Sequence, residues 1–462
     1  MADELTWMPA HEIRELIGRG EVSPVEVTDH FLGRIEELEP KLHAFQVVDA
    51  DAARRQAKAA EQAVRDGAEL GPLHGIPVSI KDHISVRGLP YFDMQTQRHM
   101  PEAKRDDIQV ERLRTAGAVI VGTNTEMGSG MREARKRGEV FNWEVEARSA
   151  WDQDRVPGWS SSGSATATVS RMVPLALGSD GGGSTRLPAA YSGVVGIAAT
   201  PGRIPWRYNP APGIALTAST GPLCRDVRDA AVMTQALAGP DGRDFFSLPD
   251  WAFDCLTTLD DGVEGLRFAW TDDFGFASMY ALEESPRVIA TIREAAHGLS
   301  SLGATVDTTD VVWEDFFDGF QVASRMFGSG GRIGDDRPDE EEYVAMSDAR
   351  GRNRDRFMGI FDEYDVLLAP TAQLTARRVE DWNAAWTTDG GRYPHGSFAG
   401  TYVSHAMMQN WCSMPAFSVP AGFVDGLPVG LQLIGRPGTD ALMFRVAQAF
   451  QQAFPRPERP ND

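Results

Sequence analysis

The sequence predicts an α/β fold with a large mixed β-sheet covered by helices on both faces. Amphipathic helical segments alternate along the chain with short apolar segments that are rich in β-branched residues. Such continuous apolar runs are typical of strands buried on both faces of a sheet. At 462 residues, of which 42% are hydrophobic, the chain is long enough to bury a large core.

Residues 1–70 are predicted to form an N-terminal helical segment that packs on the core. The stretch "SPVEVTDHFLGRIEELEP" begins with a Ser-Pro cap, spaces its apolar residues three and four apart, and is expected to stop at Pro40. A second helix is predicted in "ADAARRQAKAAEQAVRDG", closed by Gly67.

Residues 71–240 are predicted to form the core that carries the chemistry. The stretch "HGIPVSIKDHISVRG" has the composition of a buried strand, and "DIQVERLRTAGAVIVGTNT" that of a helix followed by a strand. Between about 150 and 225 the chain is rich in glycine and serine. The apolar stretches "RMVPLALGSD" and "YSGVVGIAA" within it argue against a flexible linker.

The remainder is predicted to leave the core and return to it. Residues 241–380 are interpreted as a peripheral, variable helical subdomain that contributes one core strand near 364–371, in "DEYDVLLAPT". Residues 381–462 are expected to return through "MPAFSVPAGFVDGLPVGLQLIG" and to end in the helix "ALMFRVAQAFQQAF".

Charge and composition disfavour several functional classes. The formal net charge of −21 disfavours nucleic-acid and membrane-surface roles, because an acidic surface repels phosphate backbones and anionic headgroups. Cys224, Cys255 and Cys412 lie far apart, and the nine histidines show no metal-ligand spacing. We therefore expect no metal, no cofactor and a reducing compartment. The acidic start "MADELTWMPAHEIRELI" does not resemble a signal peptide, which favours a cytoplasmic location.

Lys81 is the first candidate for chemistry. It ends an apolar strand, after Ile76, Val78 and Ile80, where its charged form would be poorly solvated. Desolvation lowers the pKa of a lysine and makes a neutral amine available as a base. A structural interpretation stays open at this point, in which Lys81 pairs with Asp82 or lies exposed at the end of the strand.

Two serine-containing stretches follow. In "LGSDGGGSTRLPAA", three glycines expose backbone N–H groups just before Ser184, an arrangement that can form an oxyanion hole beside a nucleophile. A phosphate-binding loop would require a Gly-Lys-Ser/Thr ending, which is absent. The other stretch, "VPGWSSSGSATATVS", contains Ser160. Neither serine fits a Gly-x-Ser-x-Gly elbow, because Ser162 and Arg186 stand where the second glycine would be.

Together these stretches resemble the amidase signature family of Ser-cisSer-Lys amidohydrolases. The family block of paired serines and a Gly-Ser-Asp-x-Gly-Gly-Ser-x-Arg run is matched by "PGWSSSGSA", "LALGSDGGGSTRLPAA" and "SGVVGIAATPGRI", with "LHGIPVSIKD" upstream. The resemblance covers nearly the whole chain and is weakest at 128–147 and 310–400. It implies the family's fold of a large mixed sheet with helices on both faces.

The resemblance also implies roles for individual residues. Ser184 is expected to be the nucleophile, Ser160 the bridging serine entered by a cis peptide bond, and Lys81 the base. The two serines lie 24 residues apart, as they do in the family. The remaining implied residues are the oxyanion-hole donors Gly181, Gly182, Gly183 and Ser184, and the supporting residues Ser161, Asp180 and Arg186.

Trp159 departs from the family pattern, which usually has glycine there. Its indole is expected either to fill the core or to border the acyl pocket. Met131 and Trp143 lie in the insert-like "GSGMREARKRGEVFNWEVEA", whose charges are also typical of a solvated loop. If Met131, Trp143 and Trp159 face one cleft, the substrate is a bulky or aromatic amide, anilide or carbamate, consistent with aryl acylamidase or urethanase activity.

The sequence leaves two other functions open. The family also contains glutaminase subunits of tRNA-dependent amidotransferases, which need a protein partner and an ammonia tunnel. The acidic residue that would bind glutamine is expected just before "QNWCSMPA", yet "GTYVSHAMM" contains none. A catalytically silent binding protein is disfavoured because Lys81, Ser160 and Ser184 are all present. The expected partner is a small-molecule amide or carbamate, and a homodimer is possible.

Overall fold

An eleven-stranded mixed sheet runs through the centre of the computed structural model. The structure describes residues 2–93, 98–126, 146–207, 218–249, 253–327, 338–381, 398–454 and 460. Most inner strands of the sheet are buried at every position, as expected for strands covered on both faces. The predicted α/β class with a large mixed sheet is confirmed.

The strands in chain order are β1 (Phe45–Val48), β2 (Pro77–Lys81), β3 (Tyr91–Asp93), β4 (Arg98–Met100), β5 (Val119–Asn124), β6 (Arg155–Val156), β7 (Leu175–Asp180), β8 (Val195–Ala198), β9 (Ser219–Cys224), β10 (Arg267–Trp270), β11 (Thr305–Thr308), β12 (Val366–Pro370), β13 (Arg377–Arg378), β14 (Ala416–Val424) and β15 (Leu427–Ile434). The central sheet has the order β1-β5-β2-β7-β9-β8-β14-β15-β12-β10-β11. The pairs β3–β4 and β6–β13 form two small separate sheets.

The helices are α1 (Ala2–Trp7), α2 (Ala10–Gly18), α3 (Pro24–Leu42), α4 (Ala50–Arg65), α5 (Ile108–Thr115), α6 (Ser162–Val169), α7 (Arg186–Ser192), α8 (Val227–Leu237), α9 (Ser285–Gly298), α10 (Phe317–Phe327), α11 (Glu340–Ile360), α12 (Phe398–Trp411) and α13 (Asp440–Ala453). Short 3₁₀ turns lie at Ala277–Tyr280 and Leu299–Leu302. None of the helices in the described ranges is long and apolar enough to cross a membrane.

The N-terminal helices begin as predicted, with one difference at the end of α3. Ser23 caps α3 and forms a capping box with Glu26. The prediction that α3 stops at Pro40 is wrong, because the helix continues to Leu42. Pro40 stands in the last turn and removes only one donor. The chain leaves the helix at His43, which adopts a left-handed φ of 50° and donates its N–H to the Glu39 carbonyl.

The strand β1 was not expected within the helical N-terminal segment. It is a short edge strand that pairs antiparallel with β5, and its burial is uneven along its four residues. Four residues are too few to establish a period of two in the sequence, and the neighbouring helical patterns are much longer. The strand β1 forms because it pairs with β5, which lies more than 70 residues away in the sequence.

The arrangement of β5, β2 and β7 positions the candidate residues. These three neighbouring strands are parallel, so their carboxyl ends meet at one edge of the sheet. Lys81 ends β2 and Asp180 ends β7, with Ile80 of β2 opposite Leu177 of β7. The residues that the sequence singled out therefore converge where side chains at strand ends can form a site.

The later part of the chain adds to the same sheet. Its strands β10, β11 and β12 extend the sheet beyond β15, and the strand predicted near 364–371 is β12. All four predicted segments contribute strands to this one sheet. The proposed boundaries between domains therefore stay a prediction. A second apolar cluster, defined here by Leu187, Tyr191, Phe357, Tyr402 and Met407, joins α7, α11 and α12.

Candidate active site

Lys81 is fully buried at the end of β2. Its relative exposure is 0%, and Ile76, Val78 and Ile80 before it are equally buried. The Lys81 Nζ lies 2.6 Å from the Ser160 Oγ and 3.0 Å from the Ser179 Oγ. The alternative that Lys81 is exposed at the strand end is therefore excluded, and the amine is held against the serine that the resemblance pairs with it.

Ser160 lies half-buried in the turn that leads into α6. The cis peptide bond expected at its N-terminal side is not present, since no described residue is joined by a cis bond. The bond from Trp159 to Ser160 is trans. The contact between Lys81 and Ser160 is made with the backbone in this ordinary geometry.

Ser161 joins the two serine-containing segments. Its backbone N–H donates to the Ser184 carbonyl at 3.2 Å, and its hydroxyl donates to the Ser179 carbonyl at 3.2 Å. The predicted supporting role of Ser161 corresponds to these contacts. Across the described part of the chain, no hydrogen bond joins the hydroxyls of Ser160 and Ser184. The Ser184–Ser160 step of the predicted relay is thus not formed in this structure.

Asp180 and Arg186 form a buried ion pair behind the glycine run. Both side chains have a relative exposure of 0%, and Arg186 Nη2 lies 2.9 Å from Asp180 Oδ1. Arg186 also donates to the side-chain oxygens of Gln432 and Asn410. Burial alone would raise the pKa of the Asp180 carboxyl, but the Arg186 charge and the surrounding N–H donors lower it to about 2. The Asp180 carboxyl is therefore ionised, and its ion pair with Arg186 holds the loop in place.

The Asp180 carboxylate fixes the backbone of the loop directly. It accepts the N–H groups of Gly183 at 2.8 Å, Thr185 at 3.0 Å and Arg186 at 3.2 Å. Because the Gly183 N–H is used in this way, it is not available as an oxyanion donor here, contrary to the expectation from the resemblance. The N–H groups of Gly181, Gly182 and Ser184 remain as the expected donors.

Gly183 could not be replaced by another residue without strain. Its φ is +97°, in the left-handed region, and an added Cβ would lie 2.6 Å from the Ala406 Cβ. Gly182 is different, since an added Cβ there would meet Met407 at an ordinary 3.6 Å. The helix α12, which carries Ala406 and Met407, therefore packs directly against the loop that leads to Ser184.

Trp159 is half-buried and packs against the second apolar cluster. The guanidinium carbon of Arg377 lies 4.9 Å from the Trp159 ring centre and 4.2 Å from that of Tyr402. Both interpretations of Trp159 stay open, because its indole contacts the core and keeps an exposed part. The other predicted substrate-binding residues, Met131 and Trp143, lie outside the described residues.

Several residues at the site were missed from the sequence. Ser179, His83 and Glu126 continue the polar contacts beyond Lys81, and all three are buried. His83 follows β2 by two residues and Glu126 follows β5 by two. Polar residues directly after parallel strands are a signal that could have located them.

A group of possible metal ligands lies elsewhere in the structure. Within the described ranges, His11, Asp226 and Asp229 place their ligand atoms within 4.8 Å of one another. The Asp229 carboxylate already accepts the backbone N–H groups of Ala10 and His11 and contacts His11 Nδ1 at 2.6 Å. These contacts connect the start of α2 to α8.

Comparison with known proteins is consistent with the geometry of the site. A family model described as Amidase matches residues 26–317 and 318–444, which is most of the chain. The chain belongs to the amidase signature family. It is therefore an enzyme of an amidohydrolase family that acts on C–N bonds.

Individual relatives and structures are similar over nearly their whole length. A glutamyl-tRNA(Gln) amidotransferase subunit from Desulforudis audaxviator (strain MP104C) is 33% identical, over 96% of this chain and 96% of its own. A bacterial aryl acylamidase structure matches with a TM-score of 0.80 at 26% identity, over 97% of this chain and 96% of its own. The structure of a glutamyl-tRNA(Gln) amidotransferase subunit from Thermotoga maritima matches with a TM-score of 0.75 at 26% identity, over 98% of both chains.

Proposed function

We propose that this member of the family hydrolyses an amide-type C–N bond through an acyl-enzyme on Ser184, with Lys81 as the base and Ser160 between them. The observation that carries the proposal is the 2.6 Å contact of the buried Lys81 Nζ with the Ser160 Oγ. A lysine held without exposed surface favours its neutral form, which can accept a proton.

The proposed reaction moves one proton along the relay in each direction. Lys81 accepts the proton of Ser160, which accepts that of Ser184, and the Ser184 oxygen attacks the substrate carbonyl. The N–H groups of Gly181, Gly182 and Ser184 stabilise the resulting oxyanion. The proton then returns through Ser160 to the leaving amine, and water hydrolyses the acyl-enzyme. Closure of the Ser160–Ser184 contact is expected when substrate binds.

The described walls of the site favour an apolar acyl or leaving group. Met407 lies against Gly182, and Trp159 packs against the cluster that contains Met407 and Tyr402. Aromatic and thioether side chains bury planar or bulky groups well. We therefore propose a bulky or aromatic amide, anilide or carbamate as substrate. Activity restricted to small polar amides would contradict this.

A glutaminase subunit of a tRNA-dependent amidotransferase is the second candidate. It is favoured by the 33% identity to the Desulforudis audaxviator amidotransferase subunit over 96% of both chains. Glutamine also requires a group that binds its ammonium, and α12, "FAGTYVSHAMMQNW", presents no acidic residue to the site. On this proposal the carboxylate would come from another segment, and the protein would need its partner subunits for full activity.

The deciding experiment is an activity screen on the purified chain. Primary amides, anilides, aryl carbamates and L-glutamine are tested, with ammonia or amine release as the readout and gel filtration to determine assembly. Turnover of aryl substrates by the chain without partner subunits supports the first candidate. Ammonia release from glutamine, with no turnover of the other substrates, supports the second.

The nucleophile is tested in the same screen with a matched pair of variants. Ser184→Ala should abolish turnover while the protein stays folded. Ser192→Ala removes another buried hydroxyl from the end of α7 and should leave turnover intact. A fully active Ser184→Ala enzyme would exclude Ser184 as the nucleophile.

A further inference from the structure

A buried chain of polar contacts continues from Lys81 away from Ser160. The Lys81 Nζ lies 3.0 Å from the Ser179 Oγ, which lies 3.0 Å from His83 Nε2. His83 Nδ1 lies 2.7 Å from a Glu126 carboxylate oxygen. The side chains of His83 and Glu126 are only 3% and 2% exposed. The contacts thus link β7, β2 and β5 at their carboxyl ends.

Each link has one reasonable proton arrangement when His83 is neutral. Ionised Glu126 only accepts, so the His83 proton lies on Nδ1 and His83 Nε2 is left as an acceptor. The Ser179 hydroxyl then donates to His83 Nε2 and presents its lone pairs to Lys81. Lys81 therefore donates to the Ser179 Oγ, as it does to the Ser179 carbonyl at 3.4 Å.

This arrangement determines the direction of the hydrogen bond between Lys81 and Ser160. A neutral amine has two N–H donors and one lone pair. With an N–H on each of the two Ser179 oxygens, the lone pair faces the Ser160 Oγ at 2.6 Å. Ser160 must then donate its proton to Lys81, which is the direction that activation of Ser184 requires. If the Ser179 hydroxyl turned toward Lys81 instead, it would compete with Ser160 for that lone pair.

We propose that His83, oriented by Glu126, is a positioning residue that holds the Ser179 hydroxyl away from the Lys81 lone pair and so reserves that lone pair for Ser160. This inference rests on the proposed Ser184–Ser160–Lys81 mechanism. His83 acts on the base through Ser179 and does not itself contact the reacting atoms.

The surroundings of His83 hold its ring in place. Its ring stacks on Trp206 with centroids 5.5 Å apart and an interplanar angle of 19°. The titratable groups around it are Glu126 after β5, Lys81 in β2 through Ser179, and the adjacent Asp82, whose carboxylate lies 3.6 Å from His99. Stacking on one side and the Glu126 contact on the other limit rotation of the imidazole.

The test compares two substitutions of His83. His83→Phe keeps a flat ring against Trp206 but removes the acceptor, so the Ser179 hydroxyl is released. We expect kcat to fall roughly 10- to 100-fold with KM unchanged, as part of the 10²–10⁴-fold that a positioned base contributes. His83→Gln can offer its amide oxygen to Ser179, and kcat should recover to within about threefold of the wild type.

A double-mutant cycle separates this role from a structural one. In a Ser179→Ala background no hydroxyl can compete for Lys81, so adding His83→Phe should cause no further loss of kcat. A purely structural His83 would lower kcat by the same factor in both backgrounds, and Gln would not restore activity. Either result would overturn the proposal.

The Ser184→Ala variant distinguishes failure of this inference from failure of the proposed function. If Ser184→Ala is inactive and His83→Phe has wild-type kcat, only the role of His83 is refuted. If Ser184→Ala is active, the mechanism itself is refuted and the role of His83 falls with it.

Discussion

Replacing Asp180 with asparagine should weaken both the stability and the activity of the enzyme. The Asp180 carboxylate accepts six N–H groups, three from the backbone that leads past Ser184 and three from the side chains of Arg186 and Asn410. An asparagine in its place has one acceptor oxygen, so it cannot accept N–H groups from both the backbone and the side chains. It also leaves the Arg186 guanidinium buried without its counter-charge.

The size of the effect follows from two considerations. Breaking a buried ion pair by removing one partner typically destabilises a protein by about 3–5 kcal/mol. The Asp180 pKa, lowered from 3.8 to about 2, corresponds to roughly 2.4 kcal/mol of stabilisation at neutral pH. We therefore expect Asp180→Asn to lose about 3 kcal/mol. Displacement of one oxyanion donor would lower kcat by about 10²–10³-fold.

The assay is thermal unfolding between pH 2 and pH 8, together with kcat at neutral pH. Because the folded-state pKa of Asp180 is lowered, its contribution is complete above pH 3.8 and is lost as the pH falls through about 2. The Tm difference between wild type and Asp180→Asn should therefore be constant from pH 5 to 8 and shrink toward pH 2.

The control is Asp425→Asn, which breaks the exposed pair with Arg287, 62% and 60% exposed, and should change stability by less than about 1 kcal/mol. A second variant, Asp180→Asn combined with Arg186→Met, removes both buried charges and should recover part of the lost stability. If Asp180→Asn has the Tm of the Asp425→Asn control and a wild-type kcat, the carboxylate does not hold the loop.

Three further predictions concern single residues. Lys81→Ala should lower kcat by about 10²–10⁴-fold. The wild-type rate should rise with pH as Lys81 loses its proton. A wild-type rate that peaks at acid pH would contradict the neutral-lysine relay. Trp159→Ala should raise KM for aryl substrates and leave kcat/KM for small amides unchanged if the indole borders the pocket, whereas a uniform loss of Tm alone would identify it as core. Burial raises the pKa of Glu39 from 4.5 to about 7, so its carboxyl stabilises the fold below pH 4.5 and this is lost as the pH rises through 7; Glu39→Gln should therefore raise Tm at pH 8 and not at pH 4, measured by calorimetry.

Features that depend on neighbours in the sequence were predictable. The apolar residues before Lys81 indicate a buried strand, and Lys81 is completely buried at its end. Ser23 and Glu26 mark the start of α3, and both sides of the capping box are formed. The 24-residue separation of Ser160 and Ser184 matches the family, and Ser161 joins the two segments through the Ser184 carbonyl.

Features that depend on contacts between distant segments were not predictable. Three consecutive glycines do not reveal which N–H turns back to Asp180, because that depends on the left-handed φ of Gly183 beside Ala406. His83 and Glu126 lie 43 residues apart and meet only because β2 and β5 are neighbours. Pairing between strands and packing between helices are decided by tertiary structure.

The helix α12 has a consequence for laboratory evolution of this enzyme. Asn410 donates to the Asp180 carboxylate, while Met407, one helical turn earlier, packs against Gly182. Residues that anchor the loop and residues that shape the pocket are therefore separate positions on one rigid element. A small library at Met407, with Ala406 and Asn410 kept constant because both contact the loop, would search substrate preference while sparing the machinery that breaks the bond.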